Sequence, residues 1–210
     1  MKVSSAKENI FKKIRQALSS SVPVPFPQSE GIESVFQPST QELSVEFAEN
    51  FSKLQGRFSF CLNEKEFVEQ LQQLITTRKW SNIFCREDAL IQTLNSNGFD
   101  ELQNTDVKNC DAAITTCEQL IARTGSIVLS SAQPSGRTAS VYAPVHICVA
   151  YTGQLVYDIK EALQHVKEKY PQLPSVISLA TGPSRTADIE KTLVVGVHGP
   201  KEVFCFLVEG

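Results

Sequence analysis

The stretch Ala180-Thr181-Gly182-Pro183-Ser184-Arg185-Thr186-Ala187-Asp188-Ile189-Glu190 gathers a glycine, hydroxyls, a guanidinium and two carboxylates directly after an apolar run. Backbone N–H groups at a strand exit that opens a short helical turn carry partial positive charge, and Arg185 adds a planar fork suited to carboxylate or phosphate. An anion-binding loop made of Gly182, Ser184, Arg185, Thr186 and Asp188 is the chemistry these types suggest. The plainer alternative is a turn capped by Ser184 or Thr186, with Arg185 and Asp188 paired to each other. A second polar loop, Val197-His198-Gly199-Pro200, sets an imidazole beside Gly199. His198 is a candidate donor to a bound anion or an acid/base group, against a structural role on a backbone carbonyl. If residues 193–197 fold back toward the first loop, His198 and Arg185 share one pocket.

Two further segments could face the same rim. Ser135-Gly136-Arg137-Thr138 breaks the chain between two apolar runs, and Pro144-Val145-His146 opens the second of them, so Arg137 and His146 are candidates for one edge. Thr115-Thr116-Cys117-Glu118 puts a carboxylate at the start of an expected helix, where the helix dipole favours its ionised form. Glu118 is a capping charge on the plain reading and a nucleophile or general base on the sharper one. Thr124-Gly125-Ser126 reads as the stop of that helix.

The positions of these groups depend on elements that the hydrophobic pattern outlines. Arg57 to Leu62 reads as extended, Glu64 to Arg78 as helical, Asn82 to Cys85 as extended and Glu87 to Asn97 as helical. The alternation continues through Ala112 to Thr116 (extended), Glu118 to Arg123 (helical), Ser126 to Ser130 and Val145 to Ala150 (both extended). An edge at Gln154 to Tyr157, a helix from Asp158 to Lys169 and strands at Val176 to Leu179 and Val203 to Val208 complete it. Such alternation predicts a doubly wound, mostly parallel α/β sheet, and apolar runs such as Val203-Phe204-Cys205-Phe206-Leu207-Val208 suit strands covered on both faces. Residues 44–210 form this domain, beginning with a helix near 44–54. Residues 1–43 form an arm, a basic amphipathic helix followed by a proline-rich linker over 19–42. The arm would pack on its own domain, on a sister protomer in a homo-oligomer, or on another protein.

With 210 residues and 20 basic against 23 acidic side chains, the net charge of −3 lacks the basic footprint of a nucleic-acid binder and disfavours anionic membranes. No apolar run reaches membrane-spanning length and residues 1–20 hold no signal-peptide core, so membrane insertion is not expected and a cytoplasmic location is. The six cysteines are scattered through apolar runs, as reduced buried thiols would be. Without C-x-x-C or a Cys/His cluster, no metal and no iron–sulfur site is expected in this chain. Dinucleotide, P-loop and nucleophile-elbow motifs are also missing, which removes weight from the familiar oxidoreductases, nucleoside triphosphatases and hydrolases.

The pair Gly182-Pro183-Ser184-Arg185-Thr186-Ala187-Asp188-Ile189-Glu190 and Gly196-Val197-His198-Gly199-Pro200 resembles the signature of LUD-domain proteins, most of all their lactate utilization protein C branch. Ala112-Ala113-Ile114-Thr115, the Thr-Gly-Ser at 124–126, Gly136-Arg137 and Pro144-Val145-His146 support the resemblance over about residues 57–208. It departs at Arg123, where the family often has an acid. The resemblance implies a sheet of the sugar-phosphate isomerase and CoA-transferase type. It also implies a part in oxidising L-lactate to pyruvate, in a system whose partner subunits carry iron–sulfur clusters. With neither cluster motif nor dinucleotide loop here, this chain is expected to carry no cofactor and to be a non-redox subunit or accessory. Its Arg185 and His198 loops would bind a small carboxylate, another anion or a partner's acidic segment. The alternatives are an autonomous isomerase or acyl/CoA-transfer enzyme using Glu118 or His198, and a pure assembly scaffold.

Overall fold

A computed structural model of the chain describes residues 5–19, 38–39, 41–100, 102, 106–189 and 192–210. They fall in two compact units, Met1–Pro38 and Ser39–Gly210. In the first unit, α1 (Ser5–Ser19) is the basic helix expected from the sequence, with Ile10, Phe11 and Ile14 exposed. Most of the expected linker lies outside the described residues.

The second unit is built on a five-stranded sheet in which every neighbouring pair is parallel. Its strands are β1 (Arg57–Cys61), β2 (Ile83–Cys85), β3 (Ala112–Thr116), β6 (Val145–Tyr151) and β11 (Glu202–Val208), in the order β1-β11-β6-β3-β2. Period-two burial explains why these runs are apolar throughout. On one face Phe204, Phe206 and Val208 of β11 join Val145, Ile147 and Val149 of β6 beneath two helices, α3 (Glu64–Arg78) and α4 (Asp88–Ser96). On the other face Val203, Cys205 and Leu207 meet Cys148 and Ala150 under Phe47 and Phe51 of α2 (Leu43–Lys53). Phe47 and Phe51 are stacked and fully buried, each contributing about 2–3 kcal/mol by removal from water. Helix α3 starts where Asn63 accepts from the Glu66 N–H and the Glu66 carboxylate reaches back to the Leu62 N–H, a reciprocal cap.

The mostly parallel α/β sheet is as expected, but a second sheet covers much of its α2 side. That sheet contains β4 (Gln119–Ile121), β5 (Ser126–Ser130), β7 (Leu155–Val156) and β8 (Ile177–Ala180), in the order β7-β4-β5-β8. A further helix, α6 (Ile159–Lys169), packs Ala162 and Val166 on its outer side. Two expectations are corrected here. Residues 118–123 are not helical, because Leu120 turns into the core against α2 while its neighbour Ile121 packs toward α6. Burial of successive residues on opposite sides requires a strand and overrides the helix propensity of Glu-Gln-Leu-Ile-Ala-Arg. Gly125 accordingly turns one strand into the next rather than ending a helix. The helical turn expected after Gly182 is instead the strand β9 (Arg185–Ile189), paired antiparallel with β10 (Thr192–Val195), whose β-branched residues favour an extended backbone. A four-residue helix, α5 (Ala139–Tyr142), precedes β6.

Candidate functional site

The two signature loops are laced together by backbone hydrogen bonds. Ser184 N–H donates to the Pro200 carbonyl at 2.9 Å, and Gly196 N–H donates to the Ser184 carbonyl at 3.0 Å. Arg185 lies opposite Val195, and Thr186 opposite Val194, across the β9–β10 hairpin. The fold-back of 193–197 on the first loop is therefore present, yet the two loops direct their side chains to different places. Gly182, at φ 80°, passes so close to the end of α2 that a Cβ would lie 2.5 Å from the Leu54 carbonyl oxygen. The Arg185 guanidinium donates to that same oxygen, so one arm of the expected anion fork ties the loop to a helix C-terminus, where a cation is favoured. The side chain of Asp188 and the whole of Glu190 lie outside the described residues.

His198 instead lines a cavity of about 440 Å³ with Lys201, Val141, Tyr142, Pro144 and Gly199. The floor is fixed by the Lys201 N–H, which donates to the Pro144 carbonyl at 2.8 Å just before β11 begins. Lys201 supplies a positive charge, His198 and Tyr142 supply donors, and Val141 and Val197 form apolar walls. A pocket with this composition suits a small anion bearing a short apolar group. Sequence reading missed Lys201 and Tyr142. Lys201 directly follows the Gly199-Pro200 turn and was visible as a cation beside His198, whereas nothing in the sequence brings Tyr142 to that loop.

The remaining candidates stand elsewhere. Arg137 is exposed and donates to the Ser175 hydroxyl in the loop before β8. His146 is fully buried in β6, its Nε2 at 2.9 Å from the Thr115 hydroxyl and its Nδ1 without a hydrogen-bond partner. Burial alone brings its pKa down to about 4, so the ring is neutral near pH 7. Arg137 and His146 therefore do not form a shared rim.

Glu118 is buried at the end of the β3–β4 connection, not at a helix start. Its Oε1 accepts from the Ser130 hydroxyl at 2.5 Å and the Tyr170 hydroxyl at 2.8 Å, while Oε2 accepts from Lys169 Nζ at 2.7 Å. Burial pushes this carboxyl up, but the bonds from Lys169, Ser130 and Tyr170 outweigh it and hold the pKa below the usual value. A carboxylate whose lone pairs are so engaged is a structural anion joining β4, β5 and the end of α6. The network extends inward, with the Ser130 N–H donating to Gln133 and Gln133 donating to the Thr116 carbonyl. Buried Glu87 then accepts from the Thr116 N–H at 3.1 Å. Sequence reading did not single out Glu87 or Gln133, since an acid between a strand and a helix looks like an ordinary cap. Behind this network, a bond to Cys148 and burial push the Cys117 thiol well above its ordinary value, which keeps it protonated and poorly nucleophilic.

Comparison with known proteins gives a match of residues 45–208 to the family model for the LUD domain. The lactate utilization protein C of Shouchella clausii is 36% identical over 100 residues, covering 47% of this chain and 43% of that protein. Its counterpart in Anoxybacillus flavithermus is 31% identical over 153 residues, covering 66% and 68% respectively. The chain spans about half the length of the curated relatives it matches. Among solved structures, a DUF162 family protein from Deinococcus radiodurans superposes with a TM-score of 0.56 at 19% identity, over 79% of this chain and 96% of that one. That likeness supports the fold.

Proposed function

The chain belongs to the LUD-domain family, and from that premise we propose that it serves in lactate utilization, as the non-redox component of a cytoplasmic system oxidising L-lactate to pyruvate. Iron–sulfur clusters and electron transfer belong to partner subunits in this reading, and this chain binds the small carboxylate. The names of its relatives support the process. The observation that carries the binding role is the cavity shared by His198, Lys201 and Tyr142. Lactate has one carboxylate for the Lys201 charge, one hydroxyl for a neighbouring donor or acceptor, and one methyl for the Val141 and Val197 walls. Arg185 ties its loop to the end of α2 and takes no part in binding the carboxylate.

Thermal unfolding with added L-lactate, pyruvate or chloride tests the pocket. A ligand at a hundred times its dissociation constant stabilises the folded state by about 2.7 kcal/mol. Protection by lactate or pyruvate that disappears in His198→Ala and Lys201→Ala is expected. Equal protection of the variants, or none of the wild type, overturns the binding role. Anaerobic purification from the native cells tests the assembly. Iron-bearing companions and lactate-dependent dye reduction only in their presence are expected, and an iron-free chain without companions overturns the subunit reading.

A further inference from the structure

Strand β1 is an edge of the five-stranded sheet, with β11 on one side and no strand on the other among the described residues. Its residues alternate in direction. The Glu209 N–H donates to the Cys61 carbonyl at 2.9 Å, and the parallel register pairs Cys61 with Val208. By that alternation Arg57, Ser59 and Cys61 direct their backbone groups toward β11, while Phe58 and Phe60 direct theirs outward. The next outward N–H, at Leu62, is taken by the Glu66 carboxylate. The free edge is thus limited to two residues, and they are flanked by exposed apolar surface: Phe60 is 41% exposed and Leu62 63%. No proline, bulge or inward charge blunts this edge, although natural sheets ordinarily protect such strands.

We propose that β1 is the seam of a two-fold homodimer, in which it pairs antiparallel with β1 of a second copy about Ser59. In that register Phe58 faces Phe60 of the second copy, twice by symmetry, and each such pair exchanges two backbone hydrogen bonds. The aromatic pairs lie on one face, where cross-strand aromatics add to stability. Leu62 falls opposite Gly56, which has no side chain to obstruct it.

Charge complementarity selects a second copy as the occupant. Helix α3 flanks the edge and carries Glu64 and Glu66 in its first turn and Arg78 in its last. Arg57 begins β1 at that same end, where it and Arg78 share one carboxylate, Glu202, so that two guanidiniums against a single acid leave a net positive charge. A groove of about 590 Å³ between α3 and the edge is lined by Arg57, Ser59, Gln70, Gln73, Leu74 and Phe204, among others. Two-fold pairing brings the acidic end of each α3 beside the basic end of the other and joins the two grooves along the seam. A parallel partner would set like ends together.

The test is sedimentation of the full chain over about 1–100 µM, with amide hydrogen exchange at both limits. A dimer at the upper limit, with exchange at Phe58 and Phe60 slowed about tenfold or more, is expected. Phe60→Lys, at an exposed position, is expected to give a folded monomer at the same concentration. A wild type that stays monomeric overturns the proposal. So does a dimer whose Phe58 and Phe60 amides exchange as fast as in the monomer, or one that survives the lysine. The exchange readout needs no variant and stands whether or not the lysine protein folds.

Discussion

Acidification should destabilise this protein through His146 before its carboxylates are titrated. The ring is fully buried in β6 with an unpartnered Nδ1, and burial brings its pKa from 6.5 to about 4. The native state therefore binds fewer protons here than the unfolded chain, so this contribution is complete above about pH 6.5 and drains away as pH falls toward 4. Each pH unit across that window is worth about 1.4 kcal/mol, giving a loss of about 2 kcal/mol at pH 5 and about 3 kcal/mol at pH 4. Against a typical domain stability of about 5–15 kcal/mol, such a loss is large. Urea unfolding at pH 7.5, 6, 5 and 4.5, for the wild type and for His146→Gln, isolates it. Glutamine keeps a polar group for Thr115 without the titration, and the carboxylates contribute equally to both proteins. The difference in unfolding free energy should therefore shrink by about 2 kcal/mol between pH 7.5 and 5. Parallel pH curves for the two proteins, or an imidazole resonance titrating near 6.5 in the folded wild type, would refute the argument.

Other perturbations follow from the same geometry. Glu118→Ala leaves the Ser130 and Tyr170 hydroxyls without their acceptor and should cost about 2–4 kcal/mol in chemical unfolding, whereas Lys169→Ala, whose side chain is 58% exposed, should cost about 1 kcal/mol or less. The depressed Glu118 pKa stabilises the fold above the unfolded carboxylate range and is lost as pH falls through the folded value, so the Glu118→Gln deficit should narrow in acid. Gly182→Ala meets both a left-handed backbone and the Leu54 carbonyl, and should lower stability by about 1–3 kcal/mol, read by thermal unfolding. Arg185→Ala should cost about 1 kcal/mol and leave carboxylate protection intact, whereas Lys201→Ala should abolish protection at little cost in stability.

The central sheet was legible in the sequence because its strands are buried on both faces. Runs such as Val203 to Val208 and Val145 to Ala150 have no reading as an exposed helix, and the prolines after Lys169 end α6. What failed to show was pairing at a distance. Residues 118–123 look helical by propensity and are extended only because β5 and α2 lie on either side of them. The stretch after Gly182 offers capping residues for a helix, and nothing local shows that its extended partner is β10. The candidate site was half legible for the same reason. The polar loops announced themselves by composition, and the fold-back, stated only as a condition, is present in their lacing through Ser184, Gly196 and Pro200 without bringing Arg185 and His198 into one pocket. Which side chains entered the cavity depended on α2 and α5, whose positions no local spacing encodes. Arg185 was drawn to the end of one and Tyr142 was supplied by the other.

The strand order carries a consequence for how the chain acquires its structure. β11, the last strand among the described residues, is inserted between β1, the first of them, and β6. While the polypeptide is being synthesised, β1 has no neighbour in the central sheet until residues 202–208 have left the ribosome, and β6 has one open side. Closure of so many intervening residues is entropically slow. The nascent chain therefore holds the β1 edge open for most of its synthesis and a second open edge once β6 has emerged, and a premature stop between Tyr151 and Glu202 would leave both unpaired. Chaperone demand should concentrate there, and a truncated product should aggregate rather than persist as a smaller folded domain.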